Sequence, residues 1–182
     1  MYKLGLVLLL VSLVLISGCT TQEKASTSPE PGIKKTKFTD PAGRFSLDVP
    51  EGWEKQNVSI FDASFGFLDE NKGKMRLIGV NIKENFDNIT TEHALVGTKA
   101  ALGSSGTLTE IGRGNVTLNN GKDSAMFMEF SATFSGIDVK GKLVIIAKAN
   151  VASVMFLSNS EEYGKYLKEA DVSLNSFTIG SV

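Results

Sequence analysis

The stretch NVTLNNGKDSAMFMEF, Asn115 to Phe130, contains two strands and the turn between them. Downstream of the turn, Met126, Met128, Phe130, Ala132 and Phe134 alternate with Glu129, Ser131 and Thr133. Strict period-two alternation puts one set of side chains on a buried face and the other towards water. Asn120-Gly121 is predicted to form a two-residue type I′ turn. That turn needs positive φ at both positions, which Asn and Gly tolerate best.

The same alternation recurs along the chain. Phe45, Leu47 and Val49 alternate with Ser46 and Asp48, and Ile78, Val80 and Ile82 share a face opposite Leu77 and Gly79. KLVIIAKA (Lys142–Ala149) and VASVMFLS (Val151–Ser158) meet around Asn150 as a second hairpin. Both faces of these two strands are apolar at their middles, so they are predicted to lie centrally, covered on each side.

Two segments read as helices. Over Thr91–Leu102, Leu95, Thr98 and Leu102 form a stripe with Ala94 and Ala101. The other is marked by Tyr163, Tyr166, Leu167, Ala170, Leu174 and Phe177, which follow one helical face. Ser158 with Glu161, or Asn159 with Glu162, has the spacing of a capping box at its start. Helices interrupting antiparallel hairpins give the α+β class.

The N-terminus has a different character. Lys3 precedes an apolar run of 13 residues, Leu4 to Ile16. A helix crossing a hydrocarbon core of about 30 Å needs about 20. A basic start, a short apolar core and small residues at its end mark a secretory signal. Leu15-Ile16-Ser17-Gly18-Cys19 resembles the prokaryotic lipoprotein box, which implies cleavage before Cys19 and an acyl lipid such as palmitate on its sulfur. Residues 1–18 then form the signal peptide, 19–37 the lipidated cysteine and a flexible linker, and 38–182 one domain. Two or more acyl chains give stable anchoring. The linker stretch TTQEKASTSPEPGIKKTK has Ala25 and Ile33 as its only apolar residues, too few to order it. Its IKKTK end reads as solvated, with contact to anionic head groups as the alternative.

Composition narrows the function classes. Cys19 is the only cysteine, so disulfides, thiol catalysis and Cys-ligated zinc are excluded from the domain. Lys+Arg number 19 against 20 Asp+Glu, with no basic stripe to support nucleic-acid binding.

FTDPAGRFSLDVPEGWEK (Phe38–Lys55) resembles the opening of the PsbP-like family, a short strand followed by Pro50-Glu51-Gly52-Trp53. VMFLSNSEEYGKYLKEADVSLNSF (Val154–Phe177) is similar to that family's last strand and helix. The resemblance implies a PsbP-like antiparallel β-sheet sandwiched by helices (α/β/α). Plant members of the family help photosystem II retain calcium and chloride, but no residue pattern here matches an ion site. Read on their own, Pro50 and Gly52 make a turn and Trp53 packs at the domain edge.

The remaining candidates for chemistry read as structural. His93 is the only histidine, lies off the Leu95 stripe and is expected on the solvent side. Asp69-Glu70 reads as an exposed turn, and Glu161-Glu162 as a complement to a helix N-terminus. Neither has the spaced oxygens calcium requires. GRGN (112–115) lacks the Lys of a phosphate loop and reads as a bulge in a long strand pair. Asn57, Asn88 and Asn115 head Asn-x-Ser/Thr sequons and are candidate glycosylation sites. No catalytic residue, metal ligand or cofactor is implied. The sequence therefore suggests a monomeric, non-catalytic domain outside the cytoplasm, anchored to the cell membrane by lipid, that binds or helps assemble a membrane complex or takes a surface ligand. The alternatives are a hydrolase with an unrecognised site and a purely structural envelope lipoprotein.

Overall fold

The computed structural model describes residues 32–180, apart from 120, 135 and the side chain of Glu70. The signal stretch, Cys19 and most of the linker lie outside the described residues. Ten strands and two helices follow one another: β1 (Lys35–Thr39), β2 (Phe45–Pro50), β3 (Glu54–Gln56), β4 (Ala63–Asp69), β5 (Lys74–Glu84), α1 (Thr91–Ser104), β6 (Thr107–Leu118), β7 (Asp123–Phe134), β8 (Ile137–Ala147), β9 (Asn150–Asn159), α2 (Tyr163–Ser176) and β10 (Thr178–Ile179).

Seven strands form an antiparallel sheet in the order β3-β4-β5-β9-β8-β7-β6, and β1-β2-β10 form a small second sheet. The hairpin around Asn150 is central, as its doubly apolar strands demand. Val144, Ile146, Ala152, Val154 and Phe156 face one core, while Leu143, Ile145, Met155 and Leu157 face another. The first core also takes Phe45, Leu47 and Val49 of β2 and Ala170, Leu174 and Phe177 at α2. The second takes Ala94 and Leu95 of α1. The cover of the large sheet is therefore uneven. One face carries α2 together with the small sheet, whereas on the other α1 packs over β6, β7 and β8.

Four details differ from expectation. The β6–β7 hairpin closes at Leu118 and Asp123, so positions 119–122 make a four-residue connection rather than a two-residue turn. Positive φ falls on Asn119 (52°) and Gly121 (90°), while Asn120 lies outside the described residues. Strand β1 begins at Lys35, inside the stretch that composition assigns to the linker; Lys35 and Lys37 pair with Pro50 and Asp48. Pairing with β2 along its whole length and the packing of Phe38 against the α2-side core order this polar segment, with an ion pair from Lys35 to Asp48 (2.6 Å) at its edge. No capping box opens α2. Its N-cap is Glu162, without a side-chain cap bond, because β9 runs on to Asn159. The Asn159 side chain instead accepts from Met75 N (2.7 Å) and donates to Gly73 O (2.8 Å), holding the start of β5.

The bulge expected at GRGN sits immediately before it. Glu110 pairs with Phe130 and Gly112 with Glu129, leaving Ile111 over. The extra residue reverses the strand's facing. Leu108 packs with the α1-side core, whereas Val116 and Leu118 pack with the α2-side core.

Candidate functional site

Among the described residues, one concavity lies where the α1-side cover stops. It is an open cleft of about 600 Å³ between α1, the 85–90 loop and the sheet. Its floor is a set of cross-strand neighbours: Asn81 of β5 opposite Ser153 of β9, which lies opposite Ile145 of β8. Met155 and Leu143 continue the floor in the next row. Phe61 closes one side by lying over Gly79, where any Cβ would collide with its ring.

The loop that forms the rim is shaped by Asn85. Its Oδ1 accepts from Ile89 N (2.8 Å), and its Nδ2 donates to the carbonyls of Ile89 (3.0 Å) and Lys148 (2.9 Å). One side chain thereby closes the loop and ties it to the β8–β9 turn. Thr90 then caps α1, its hydroxyl accepting from His93 N (3.2 Å), and Thr91 accepts from Ala147 N (3.1 Å). These bonds fix the helix so that Ala94, Gly97 and Ala101 form the cleft wall. The loop leaves Phe86 83% exposed and Ile60 faces it at 68%, although large apolar side chains ordinarily withdraw from water.

Polar groups in the cleft are few. The side chains of Asn81 and Ser153 make no hydrogen bond within the described residues, and Lys83, Glu84, Asp87 and His93 around the rim make no ion pair there. His93 is exposed, as expected from its place off the stripe, but the structure adds that it stands at the cleft's edge. Sequence reading missed this cleft because the residues forming it are scattered over four elements and two loops.

A second cluster surrounds Trp53, which is buried as expected. Its Nε1 donates to Glu169 Oε2 of α2 at 2.8 Å. The Arg76 guanidinium lies 5.0 Å from the Trp53 ring and 4.4 Å from that of Tyr166, so it is held by cation–π contacts. Phe156 stacks on Tyr163 at 5.5 Å. Burial pushes the Tyr163 phenol well above its ordinary value.

The other sequence candidates do not converge. Asp69 caps its own turn through Lys72 N (3.2 Å) and pairs with the Lys72 ammonium (3.3 Å). Glu161 is exposed, and Glu162 serves only as the backbone N-cap. Asn57, Asn88 and Asn115 are all exposed, on the β3–β4 loop, the cleft loop and edge strand β6. Among the described residues no group of three or more His, Cys, Asp or Glu could hold a metal, and no helix is long and apolar enough to cross a membrane.

No family model matches the sequence, and no curated protein does. Solved structures do. The chain is similar to the cyanobacterial PsbP (CyanoP) of Synechocystis, with a TM-score of 0.59 over 86% of this chain and 98% of that one, at 12% identity. The fold is PsbP-like. It is also similar to LpqN of Mycobacterium tuberculosis, a protein involved in cell envelope biogenesis, with a TM-score of 0.57 over 81% of this chain and 91% of that one, at 17% identity. The PsbP-like fold thus spans nearly the whole described chain.

Proposed function

We propose that this chain is a lipid-anchored protein outside the cytoplasmic membrane, and that its PsbP-like domain works without catalysis as a monomeric binding or assembly module. The cleft between α1 and the sheet is the observation that carries this reading. Apolar walls, a preformed shape and a few polar groups are what binding sites use. Large apolar side chains held in water at its mouth are suited to being covered by something else. The lipoprotein box at Cys19 supports the location, and LpqN's role in envelope biogenesis supports an envelope setting.

The test is site-specific photocrosslinking in native membranes, with a photoreactive phenylalanine analogue at Phe86. Phe67, 46% exposed on the opposite face of the sheet, is the control position. A recurring stoichiometric product from Phe86 and not from Phe67 supports the reading. Equal, diffuse labelling from both positions overturns it.

A further inference from the structure

We infer that Arg76, Lys165 and Tyr166, on the α2 side of the sheet and apart from the cleft, form a binding site for the phosphate group of a monoester.

The starting point is an arginine without an acceptor. The Arg76 guanidinium is held against Trp53 (5.0 Å) and Tyr166 (4.4 Å) by its aromatic contacts. Its Nε is buried and has no hydrogen-bond partner. Its Nη nitrogens have no acceptor among the described residues either, and they stay open to water. Buried donors in folded proteins are rarely left unmatched. The rings fix the guanidinium in place, and its N–H fork is what remains to bind.

A second cation stands at the same ring. Lys165 Nζ lies 4.6 Å from the centre of Tyr166. Among the described residues neither Arg76 nor Lys165 forms an ion pair. The carboxylates of this end of the molecule do not answer them. Glu169 of α2 accepts from Trp53 Nε1 at 2.8 Å. Glu162, the N-cap, acts on Lys165 through its charge without pairing with it. The Tyr166 hydroxyl foremost, and Glu162 after it, raise the Lys165 pKa, while Arg76 works to lower it. That opposition marks two cations in each other's field, with no counter-ion between them.

The donors and the charge specify the ligand. A guanidinium fork, an ammonium with three hydrogens and a phenol hydroxyl offer more donors than the two oxygens of a carboxylate can use. A phosphate monoester brings three acceptor oxygens and a charge of about −1.5 to −2 at pH 7, which matches two cations. Arginine's planar fork is also suited to gripping two phosphate oxygens at once.

The experiment uses the full chain in dodecyl maltoside micelles, which carry no charge. Trp53 is the only tryptophan in the chain, so its fluorescence reports on the guanidinium beside it. Glycerol 3-phosphate is the soluble probe, acetate at equal ionic strength is the control, and phosphatidic acid mixed into the micelles is the lipid form of the same monoester. A saturable change is expected with phosphate monoester and not with acetate. Affinity should fall from pH 7.5 to about pH 5, as the monoester loses its second charge. Lys165 is exposed, so Lys165→Gln should keep the melting temperature and weaken binding about tenfold, with recovery in Lys165→Arg. Arg76→Met should abolish the response. Saturation by the soluble probe assigns the site to a free ester, and saturation by phosphatidic acid alone assigns it to a lipid head group. No saturation by either, an equal response to acetate, or affinity indifferent to Lys165→Gln overturns the inference.

Discussion

The hydroxyl of Ser173 donates to the backbone carbonyl of Asp48 at 2.6 Å, and three residues further along α2 the Ser176 hydroxyl accepts from Asp48 N at 2.8 Å. Strand β10 pairs with β2 only at Phe45 and Ser46, so beyond that point one side of β2 has no strand partner. The helix supplies the missing bonds with two serines one turn apart. Ser173 is fully buried. Ser173→Ala should therefore strand a buried carbonyl and cost about 1–3 kcal/mol in urea unfolding. An unchanged midpoint would mean that Asp48 finds another donor.

Leu174 is 1% exposed, whereas Leu167 on the same stripe is only half-buried. Leu174→Ala should cost about 2–5 kcal/mol through the cavity it leaves. Leu167→Ala should cost about 1–2 kcal/mol, in line with its partial burial. Exposed Asn175→Ala should stay within about 0.5 kcal/mol. Urea melts of the three variants check the order, and any other order would displace the helix from its seat.

Asp40 is held by Arg44, which donates from Nε to Oδ2 (2.9 Å) and from Nη2 to Oδ1 (3.1 Å). These bonds hold its carboxyl below the ordinary value of 3.8. A depressed folded-state value stabilises the fold fully above the ordinary pKa, and that contribution is lost as pH falls through the lower folded value. Asp40→Asn should cost about 1–3 kcal/mol at pH 7. Thermal melts from pH 7 down to pH 2 should show its deficit closing below about pH 4; a constant gap would assign the effect to packing instead.

Two glycines should respond oppositely to alanine. Gly66 has φ 140° within β4, and a Cβ there would drive into the Arg76 carbonyl oxygen of β5. Gly66→Ala should cost about 3 kcal/mol or more, because backbone has to move. Gly97, in helix α1 beside open space, should gain about 0.5–1 kcal/mol on the same change. Calorimetry of both variants measures the difference.

Cys19→Ser should yield an exported protein that no longer sediments with membranes. Retention after a high-salt wash would replace the proposed lipid with an uncleaved Leu4–Ile16 anchor.

Most strands were legible because alternation is a direct trace of a half-buried sheet. Leu143 to Ile146 also marked β8 as central, since only a doubly covered strand can be apolar on both faces. The legible part ended where polar residues do structural work. Ser173 counts as surface in any hydrophobicity pattern, yet it is as buried as Ala170 because its hydroxyl is satisfied. Lys35 and Lys37 look like tether, yet strand pairing and an ion pair order them. Trp53 was readable as packing, but its Glu169 partner lies 116 residues away. The cleft was hidden for a different reason. It exists because α1 stops short of β5 and β9, and no local run of residues encodes the absence of a cover.

The surplus residue Ile111 makes the two halves of β6 opposite in phase. Inserting or deleting a single residue in a strand normally turns one stretch inside out. Here one such change is already built in, and removing it would do the damage. Without Ile111, either Leu108 or the Val116–Leu118 pair would be presented to the wrong core. A two-residue change at the same place would preserve the parity. Length variation among any chains that share this sheet should therefore come in even steps at this point, a signature that can be read from an alignment without solving another structure.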